Sequence, residues 1–289
     1  MLKALIHGKT RWHLDSGQSQ IPGASGYGLN EDCLTAAVFA RFAYLPARIW
    51  WPLLKKAAVT SNGLPDEVGE LEDIKFWPRW DVREEAADHF GQRHVQPDVY
   101  LRFSQLTVLV EAKRYDAAEM QRSRQLAAEY VAWTASDEND RDGAPCIVLA
   151  IGGLKRLDAR QIQRLCGEMQ QDVSSLNSDL RPPFLAAIEW SGMLTELIRL
   201  QESRTSTDHC SRSIIADLIS ALELHSIHPR FWLIDLPEDT KSCRPINDLS
   251  IGLLRRLCGH PRDSLWMKDL SSPTRIRTSS IELFSKWRT

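Results

Sequence analysis

The chain has 289 residues, of which 43% are hydrophobic and 26% are charged, and its formal net charge is −2. Such a chain can bury one large core, and the near-neutral charge argues against a protein whose whole surface binds nucleic acid. It shows no membrane-length apolar run, no signal-peptide segment and no C-x-x-C pair among its six cysteines, which predicts a cytoplasmic protein without a zinc ribbon or disulfide scaffold.

The first predicted element is a helix from Asn30 to about Leu45, ahead of Pro46. Asn30 is a typical N-cap residue, and acidic residues follow it in the first turn. Glu31 lies three residues before Leu34, on the apolar face of this helix. Glu31 is therefore a candidate acid on the core-facing side, although complementing the helix dipole accounts for it equally well.

A strand is predicted next, from about Leu71 to Val82, with alternating apolar residues and with Pro78 at an irregular or edge position. The segment Pro65–Glu67, just before it, also carries two acids. Its neighbours are turn-forming asparagine and glycine residues, so we reject it as a functional motif.

Two adjacent predicted strands carry the most informative residues. Asp98 begins the first strand, and the second continues from the buried-type run Thr107–Val110 into Glu111 and Lys113. Because side chains two apart on a strand point to the same face, Glu111 and Lys113 project together, and a neighbouring strand can bring Asp98 alongside. Two carboxylates and a lysine on one sheet face form a site for a divalent cation and an attacked phosphate.

A helix is predicted from Ala117 to about Ser136. It would pack on the sheet through Leu126, Tyr130 and Trp133. Gln125 falls on another face, together with Arg122 and Glu129. There Gln125 either reaches the phosphate or attacking water or is simply solvated.

The pattern then continues as α/β. The apolar run Ala144–Ile151 is typical of a central strand. It is followed by a predicted amphipathic helix, a strand and a short helix, over Asp158–Val173, Phe184–Ile188 and Met193–Leu200.

The C-terminal third is predicted as a separate region. Residues 1–201 form the first predicted domain, the polar segment 202–213 is the linker candidate, and 214–289 form an accessory region. The accessory region holds a helix from Ile214, a strand at Arg230–Leu236 and a helix near Leu249–Leu257. Residues 250–289 contain eight Lys/Arg against three Asp/Glu, which indicates either a nucleic-acid surface or a solvated or partner-docking face.

Pro97-Asp98, separated by twelve residues from Glu111-Ala112-Lys113, resembles the motif of the PD-(D/E)XK phosphodiesterase superfamily. The resemblance covers about Leu29 to Gly153. It implies an α/β protein with a restriction-endonuclease-like core: helix, three-stranded meander, helix and strand, in a mixed central sheet flanked by helices. The C-terminal part would be an α/β extension of that core.

The resemblance also implies a function. Asp98 and Glu111 would ligate Mg²⁺, for which Mn²⁺ can substitute, with the Ala112 carbonyl as a third ligand. Lys113 would orient or activate the attacking water, and Glu31 would be an auxiliary acid. In one branch of the superfamily, a glutamine and a tyrosine four residues apart help to position the substrate.

The implied activity is that of a metal-dependent endonuclease cutting DNA. By analogy with other proteins of this core, the chain would be the nuclease component of a prokaryotic anti-phage defence or restriction system. Its partners would then be DNA and other subunits of the defence complex, and cutting both strands of a duplex favours a homodimer.

Two alternatives remain open. The chain could be a catalytically inactive nuclease-fold subunit that binds DNA or a protein. The separation of five residues between Gln125 and Tyr130, where the superfamily branch has four, leaves this alternative open. In the other alternative, the Glu111–Lys113 triplet is accidental in an unrelated cytoplasmic α/β protein.

Overall fold

The structure is a computed structural model and describes residues 7, 30–60, 63–118, 120–137, 145–176, 180, 183–203 and 208–229. The chain divides into two compact units, with the boundary between Ile227 and His228. The fold described below is that of the first unit. The predicted strand Arg230–Leu236, the predicted helix near Leu249–Leu257 and the basic segment 250–289 lie outside the described residues.

Seven helices and eight strands form the described part of the first unit. The helices are α1 (Glu31–Phe42), α2 (Ala47–Ala57), α3 (Glu84–Phe90), α4 (Ser123–Thr134), α5 (Ala159–Leu176), α6 (Trp190–Glu202) and α7 (His209–Leu224). The strands are β1 (Val59–Thr60), β2 (Leu71–Phe76), β3 (Trp80–Asp81), β4 (His94–Val95), β5 (Val99–Phe103), β6 (Thr107–Ala112), β7 (Cys146–Ile151) and β8 (Phe184–Ile188). None of these helices has the length and apolar character needed to cross a membrane.

Six strands form one mixed sheet in the order β1-β8-β7-β6-β5-β2. Strands β2, β5 and β6 are antiparallel neighbours, β6, β7 and β8 are parallel, and β1 runs antiparallel to β8. The fold is therefore α/β with a mixed central sheet flanked by helices, as predicted. The predicted order of helix, three antiparallel strands, helix and strand is present as α1, β2-β5-β6, α4 and β7. Two insertions interrupt it, α2-β1 and β3-α3-β4.

Different helices cover the two faces of the sheet. Because side chains alternate along a strand, Tyr100 points to the face covered by α3, α4 and α5, and it shares a core with Leu109 of β6. Phe103 points to the other face, where its ring lies 5.4 Å from that of Trp50 and 5.8 Å from that of Trp51 in α2. Helices α1, α6 and α7 complete this second layer. Covering both faces explains why the parallel strands β7 and β8 are apolar along their whole length.

Helix α1 confirms the predicted cap, since Asn30 Oδ1 accepts a hydrogen bond from the Cys33 amide at 2.8 Å. It ends at Phe42 and not near Leu45, and Pro46 precedes a further helix, α2, that the sequence analysis did not predict. Helix α2 forms despite an internal Pro52 because its aromatic residues are buried, which outweighs the poor helix propensity of proline.

The strand predicted from Leu71 to Val82 is wrong beyond Phe76. Trp77 follows with a φ of 49°, in the left-handed region, and Pro78 comes next. The chain therefore turns out of the sheet, and Trp80 and Asp81 pair with β4 in a separate two-stranded sheet. Burial of the Trp77 side chain beside Asp98 holds this turn in place.

The other predicted elements are present with altered ends. Helix α4 begins at Ser123 and not at Ala117, and the short helix predicted at Met193–Leu200 is longer, as α6. The helix predicted from Ile214 is α7, which packs against α1 and α6. Residues 214–227, assigned by the sequence analysis to the accessory region, thus belong to the first compact unit.

The loop between β6 and α4 is tied to the start of α6. Asp116 Oδ1 accepts a hydrogen bond from the Trp190 amide at 2.7 Å, and Oδ2 accepts one from the Ser191 amide at 3.0 Å. Glu189, the residue before α6, makes no capping hydrogen bond with its side chain. Asp116 therefore caps α6 from a distant part of the chain.

We expect Asp116→Ala to lower the free energy of unfolding by about 1–2 kcal/mol, the usual effect of losing a helix cap, because two amides of α6 lose their acceptor. Urea denaturation of wild type and variant would measure the change. Asp217→Ala, which removes an exposed carboxylate from α7, should change the same quantity by less than about 0.5 kcal/mol. Equal effects in the two variants would contradict the capping role.

Candidate functional site

Asp98 lies immediately before β5 and is held beside the end of β6. Its amide donates to the Val110 carbonyl at 3.0 Å. Its side chain is buried, with Oδ1 accepting from Trp77 Nε1 at 3.1 Å and Oδ2 accepting from the Ala112 amide at 2.8 Å. These three hydrogen bonds fix the carboxyl group at the edge where β6 ends.

Glu111 and Lys113 project to the same face, as predicted from their spacing. Lys113 Nζ donates a hydrogen bond to Glu111 Oε1, and the Glu111 side chain is buried. The Lys113 backbone is held on both sides, since its amide donates to the Ile151 carbonyl at 2.7 Å and its carbonyl accepts from Trp190 Nε1 at 2.8 Å. The lysine therefore leaves the sheet from a fixed position.

Glu31 reaches the same place from the first turn of α1. Its Oε2 accepts a hydrogen bond from the Arg114 amide at 2.8 Å, and its Oε1 lies 3.5 Å from Lys113 Nζ. The role of Glu31 is therefore not limited to complementing the helix dipole, because its carboxylate also forms an ion pair with Lys113.

Gln125 joins the site from α4. Its Nε2 donates to Glu111 Oε1 at 2.7 Å and to Glu129 Oε1 at 3.0 Å. Gln125 is half-buried and engaged by two carboxyl groups, so the alternative of simple solvation is wrong. All five side chains predicted for the site therefore meet at the end of β6: Asp98, Glu111, Lys113, Glu31 and Gln125.

Glu129 is a site residue that the sequence analysis missed. It is 1% exposed, and its Oε2 has no hydrogen-bond partner among the described residues. The sequence analysis assigned it to a face away from the packing stripe. One signal was available, because Glu129 is the one charged residue in the otherwise apolar segment 126–133 and lies one helical turn after Gln125.

Gln121 is a second missed residue, in the loop before α4. Its buried Nε2 faces three backbone carbonyls, those of Glu111 at 3.2 Å, Gly152 at 3.3 Å and Ile151 at 3.5 Å. The side chain thereby joins the ends of β6 and β7. The sequence placed this residue within a predicted helix, where such a role could not be recognised.

Burial determines the protonation of the site. The pKa of Asp98 rises from 3.8 to about 8, first because of burial and then because of the nearby negative charge of Glu111. Burial also raises the pKa of Glu111, against the opposing charge of Lys113. Burial, followed by the charge of Glu111, raises the pKa of Glu129 well above its ordinary value.

Lys113 behaves in the opposite way. Burial, the largest single influence, lowers its pKa, but the charge and hydrogen bond of Glu111 together with the charges of Glu31 and Asp98 outweigh burial, and the pKa is raised. Lys113 is therefore an ammonium group at neutral pH, and it lies beside Asp98 and Glu111, which retain protons more strongly than usual.

The oxygen donors of the site fit a hard divalent cation. Asp98 and Glu111 bring two carboxyl groups together with one ammonium group, and each Asp98 oxygen, which accepts one hydrogen bond, has a further lone pair. In the described ranges, no group of three or more His, Cys, Asp or Glu side chains is placed to hold a metal ion. A cation here would thus need the predicted Ala112 carbonyl or water as additional ligands.

Comparison with known proteins gives a relative but no activity. No model of a protein family matches the sequence, and no solved structure matches it significantly. A curated protein of Pasteurella multocida (strain Pm70) is 29% identical over 240 residues, which cover 82% of this chain and 85% of that protein. That protein is described as uncharacterized, so the similarity indicates no function.

The raised pKa of Asp98 predicts a specific pH dependence of stability. A carboxyl group whose pKa rises on folding, here from 3.8 to about 8, stabilises the fold fully below the lower value, and this contribution is lost as the pH rises through the upper one. We expect the free energy of unfolding in EDTA to fall between about pH 5 and about pH 8.5, and to fall less in Asp98→Asn. Urea denaturation across this range would measure both.

Asp66→Asn is the matched control, because Asp66 is exposed and its pKa is lowered by Lys55. This variant should show the wild-type dependence over the same range. If the free energy of unfolding of Asp98→Asn fell as steeply with pH as that of the wild type, the raised pKa of Asp98 would be contradicted.

Proposed function

We propose that this chain is a metal-dependent endonuclease of the PD-(D/E)XK superfamily, with a restriction-endonuclease-like core, that hydrolyses phosphodiester bonds in DNA. The observation that carries the proposal is the convergence of Asp98, Glu111 and Lys113 where β6 ends, with both carboxyl groups buried and the lysine half-buried beside them. Burying two carboxyl groups is unfavourable unless they serve a neighbouring cation or a ligand.

The topology supports the same proposal. The three antiparallel strands β2, β5 and β6 are followed by α4 and by β7, which runs parallel to β6, and the converging residues lie at the edge shared by β5 and β6. An accidental Glu-x-Lys triplet requires neither the nearby Asp98 nor the hydrogen bonds from α4.

Asp98 and Glu111 would hold Mg²⁺ or Mn²⁺, together with the Ala112 carbonyl. When bound, the ion supplies Lewis-acid stabilisation of the scissile phosphate and makes water more acidic. Trp77 and the Ala112 amide keep the Asp98 carboxyl group oriented, and Gln125 does the same for Glu111.

Lys113 would act as a cation and not as a base, because its pKa is raised. Its ammonium group orients the attacking water by donating hydrogen bonds and offsets the negative charge that develops on the phosphate. Glu31 keeps this ammonium group in place through the 3.5 Å ion pair, and Gln125 fixes the acid to which the lysine donates.

We further propose that the chain works as the nuclease component of a prokaryotic anti-phage defence or restriction system in the cytoplasm. Its partners would be DNA, other subunits of that system and a second copy of the chain, since a dimer can cut both strands of a duplex. These proposals follow by analogy from the superfamily.

A second candidate function is a nuclease-fold subunit that binds DNA or a protein without cutting. Two observations favour it. First, the proposed catalytic Lys113 donates a hydrogen bond to Glu111, which is a proposed metal ligand. In addition, Glu129 occupies the position four residues after Gln125, where one branch of the superfamily has a tyrosine.

Incubation of the chain with plasmid and linear DNA should give cleavage with Mg²⁺ or Mn²⁺ and none with EDTA. We expect Lys113→Met to lower the rate by about 100-fold or more, because the charge that stabilises the transition state is removed. The rate is read from the loss of supercoiled plasmid on a gel.

Lys55→Met is the control, since Lys55 also pairs with an acid but lies on α2 beside the rejected Asp66. It should cut at the wild-type rate. If Lys113→Met and Asp98→Asn both cut DNA at the wild-type rate, the assignment of the catalytic site would be refuted. Wild type that binds DNA without cutting under any metal would favour the second candidate.

Metal binding should depend on pH, because the buried carboxyl groups must release protons before they ligate a cation. We expect the affinity for Mn²⁺ to increase from about pH 6 to about pH 8.5, as the pH passes the raised pKa of Asp98, about 8. Calorimetric titration without DNA measures this affinity. Glu111→Gln should abolish binding and Asp66→Asn should leave it unchanged, whereas equal binding by these variants would indicate an accidental triplet.

A further inference from the structure

A cleft of about 550 Å³ lies between the start of α4 and the face of α5. It is lined by three arginines, Arg122, Arg124 and Arg164, and by one acidic residue, Glu168. Arg164 Nε lies 3.7 Å from Glu168 Oε1, and Arg124 donates to the His89 carbonyl, which is neutral. Three arginines against one acidic residue leave an excess of positive charge in this cleft. An arginine-rich cleft of this kind fits an anion with several oxygens.

Helix α4 opens into the same cleft. It has twelve residues, has no acidic residue in its first turn, and Arg122 before it makes no capping hydrogen bond with its side chain. The first amides of the helix and the positive end of the helix dipole add to the attraction for an anion. Ser123 also lines the cleft at this helix end.

Two lining residues connect the cleft to the proposed catalytic site. Gln121 is nine-tenths buried, its Nε2 is committed to the strand-end carbonyls, and its Oε1 has no partner among the described residues. Gly153 has a φ of 69°, and a Cβ added there would come 2.7 Å from Lys113 Cγ. The wall of the cleft is thus in contact with the side chain of Lys113.

We propose that this cleft is a phosphate-binding site for the DNA strand next to the bond that is cut. Arg122 and Arg164 bind the backbone phosphates, and the start of α4 contributes its amides. This inference takes its ligand from the proposed function, and it makes the cleft a substrate-positioning surface separate from the metal ligands.

The test is binding of a fluorescein-labelled DNA duplex in EDTA, followed by fluorescence anisotropy over a range of salt concentrations. The double variant Arg122→Gln/Arg164→Gln should bind more weakly. The slope of log affinity against log salt should become shallower by about 0.9 for each phosphate that the variant no longer neutralises. Both arginines are exposed, so the fold should be retained.

The control is Arg48→Gln/Lys56→Gln, which removes the same charge from exposed positions on α2 and should keep the wild-type slope. Equal slopes of log affinity against log salt in the two double variants would overturn the proposal that the cleft binds phosphate. Cleavage that is abolished in Lys113→Met, with an unchanged slope in Arg122→Gln/Arg164→Gln, would leave the nuclease standing and remove the cleft. A shallower slope in Arg122→Gln/Arg164→Gln, with no cleavage by wild type, would support the cleft as a phosphate-binding site and count against the nuclease activity.

Discussion

Burial of several carboxyl groups around one ammonium group is the constraint on which the rest of this structure depends. Asp98, Glu111 and Glu129 are all withdrawn from water, and isolated carboxylates in that position would be strongly unfavourable. The protein offsets this with hydrogen bonds from a tryptophan, a backbone amide and a glutamine, with the charge of Lys113, and with pKa values raised toward the protonated form. Protons and a divalent cation would therefore compete for the same oxygens.

The surrounding fold keeps this cluster rigid from several directions. The parallel pairing of β6 with β7 continues through the Lys113 amide, and Trp190 at the start of α6 binds the Lys113 carbonyl. Asp116, three residues later, caps the same helix. The two glycines after β7 have positive φ, and at Gly153 any side chain would collide with Lys113. Position and orientation of the lysine are thus consequences of long-range contacts, as expected for a preorganised site.

Within the first unit, an acidic site and a basic cleft lie next to each other but are separated by a wall of the protein. At the end of β6 the carboxyl groups outnumber the one lysine, which suits a cation. Across the wall formed by Gln121 and Gly153, the arginines and the start of α4 suit an anion. A phosphodiester with its metal ion carries both signs of charge, so the pairing of these two surfaces is the physical basis shared by the proposed activity and the proposed cleft.

Local sequence determined those features that depend only on near neighbours. The two-residue period of a strand put Glu111 and Lys113 on one face, and Asn30 fixed the start of α1. The burial of Glu129, the turn at Trp77, the late start of α4 and helix α2 with its internal Pro52 were decided only by the tertiary structure. Each depends on partners far along the chain. Glu129 is buried by the strands under α4, and the turn at Trp77 is held by the Asp98 carboxyl group. The loop before α4 is held by the contact of Asp116 with α6, and α2 packs on the face of β5. Periodicity carries no information on such partners, because packing against them overrides the weak preferences of the local sequence.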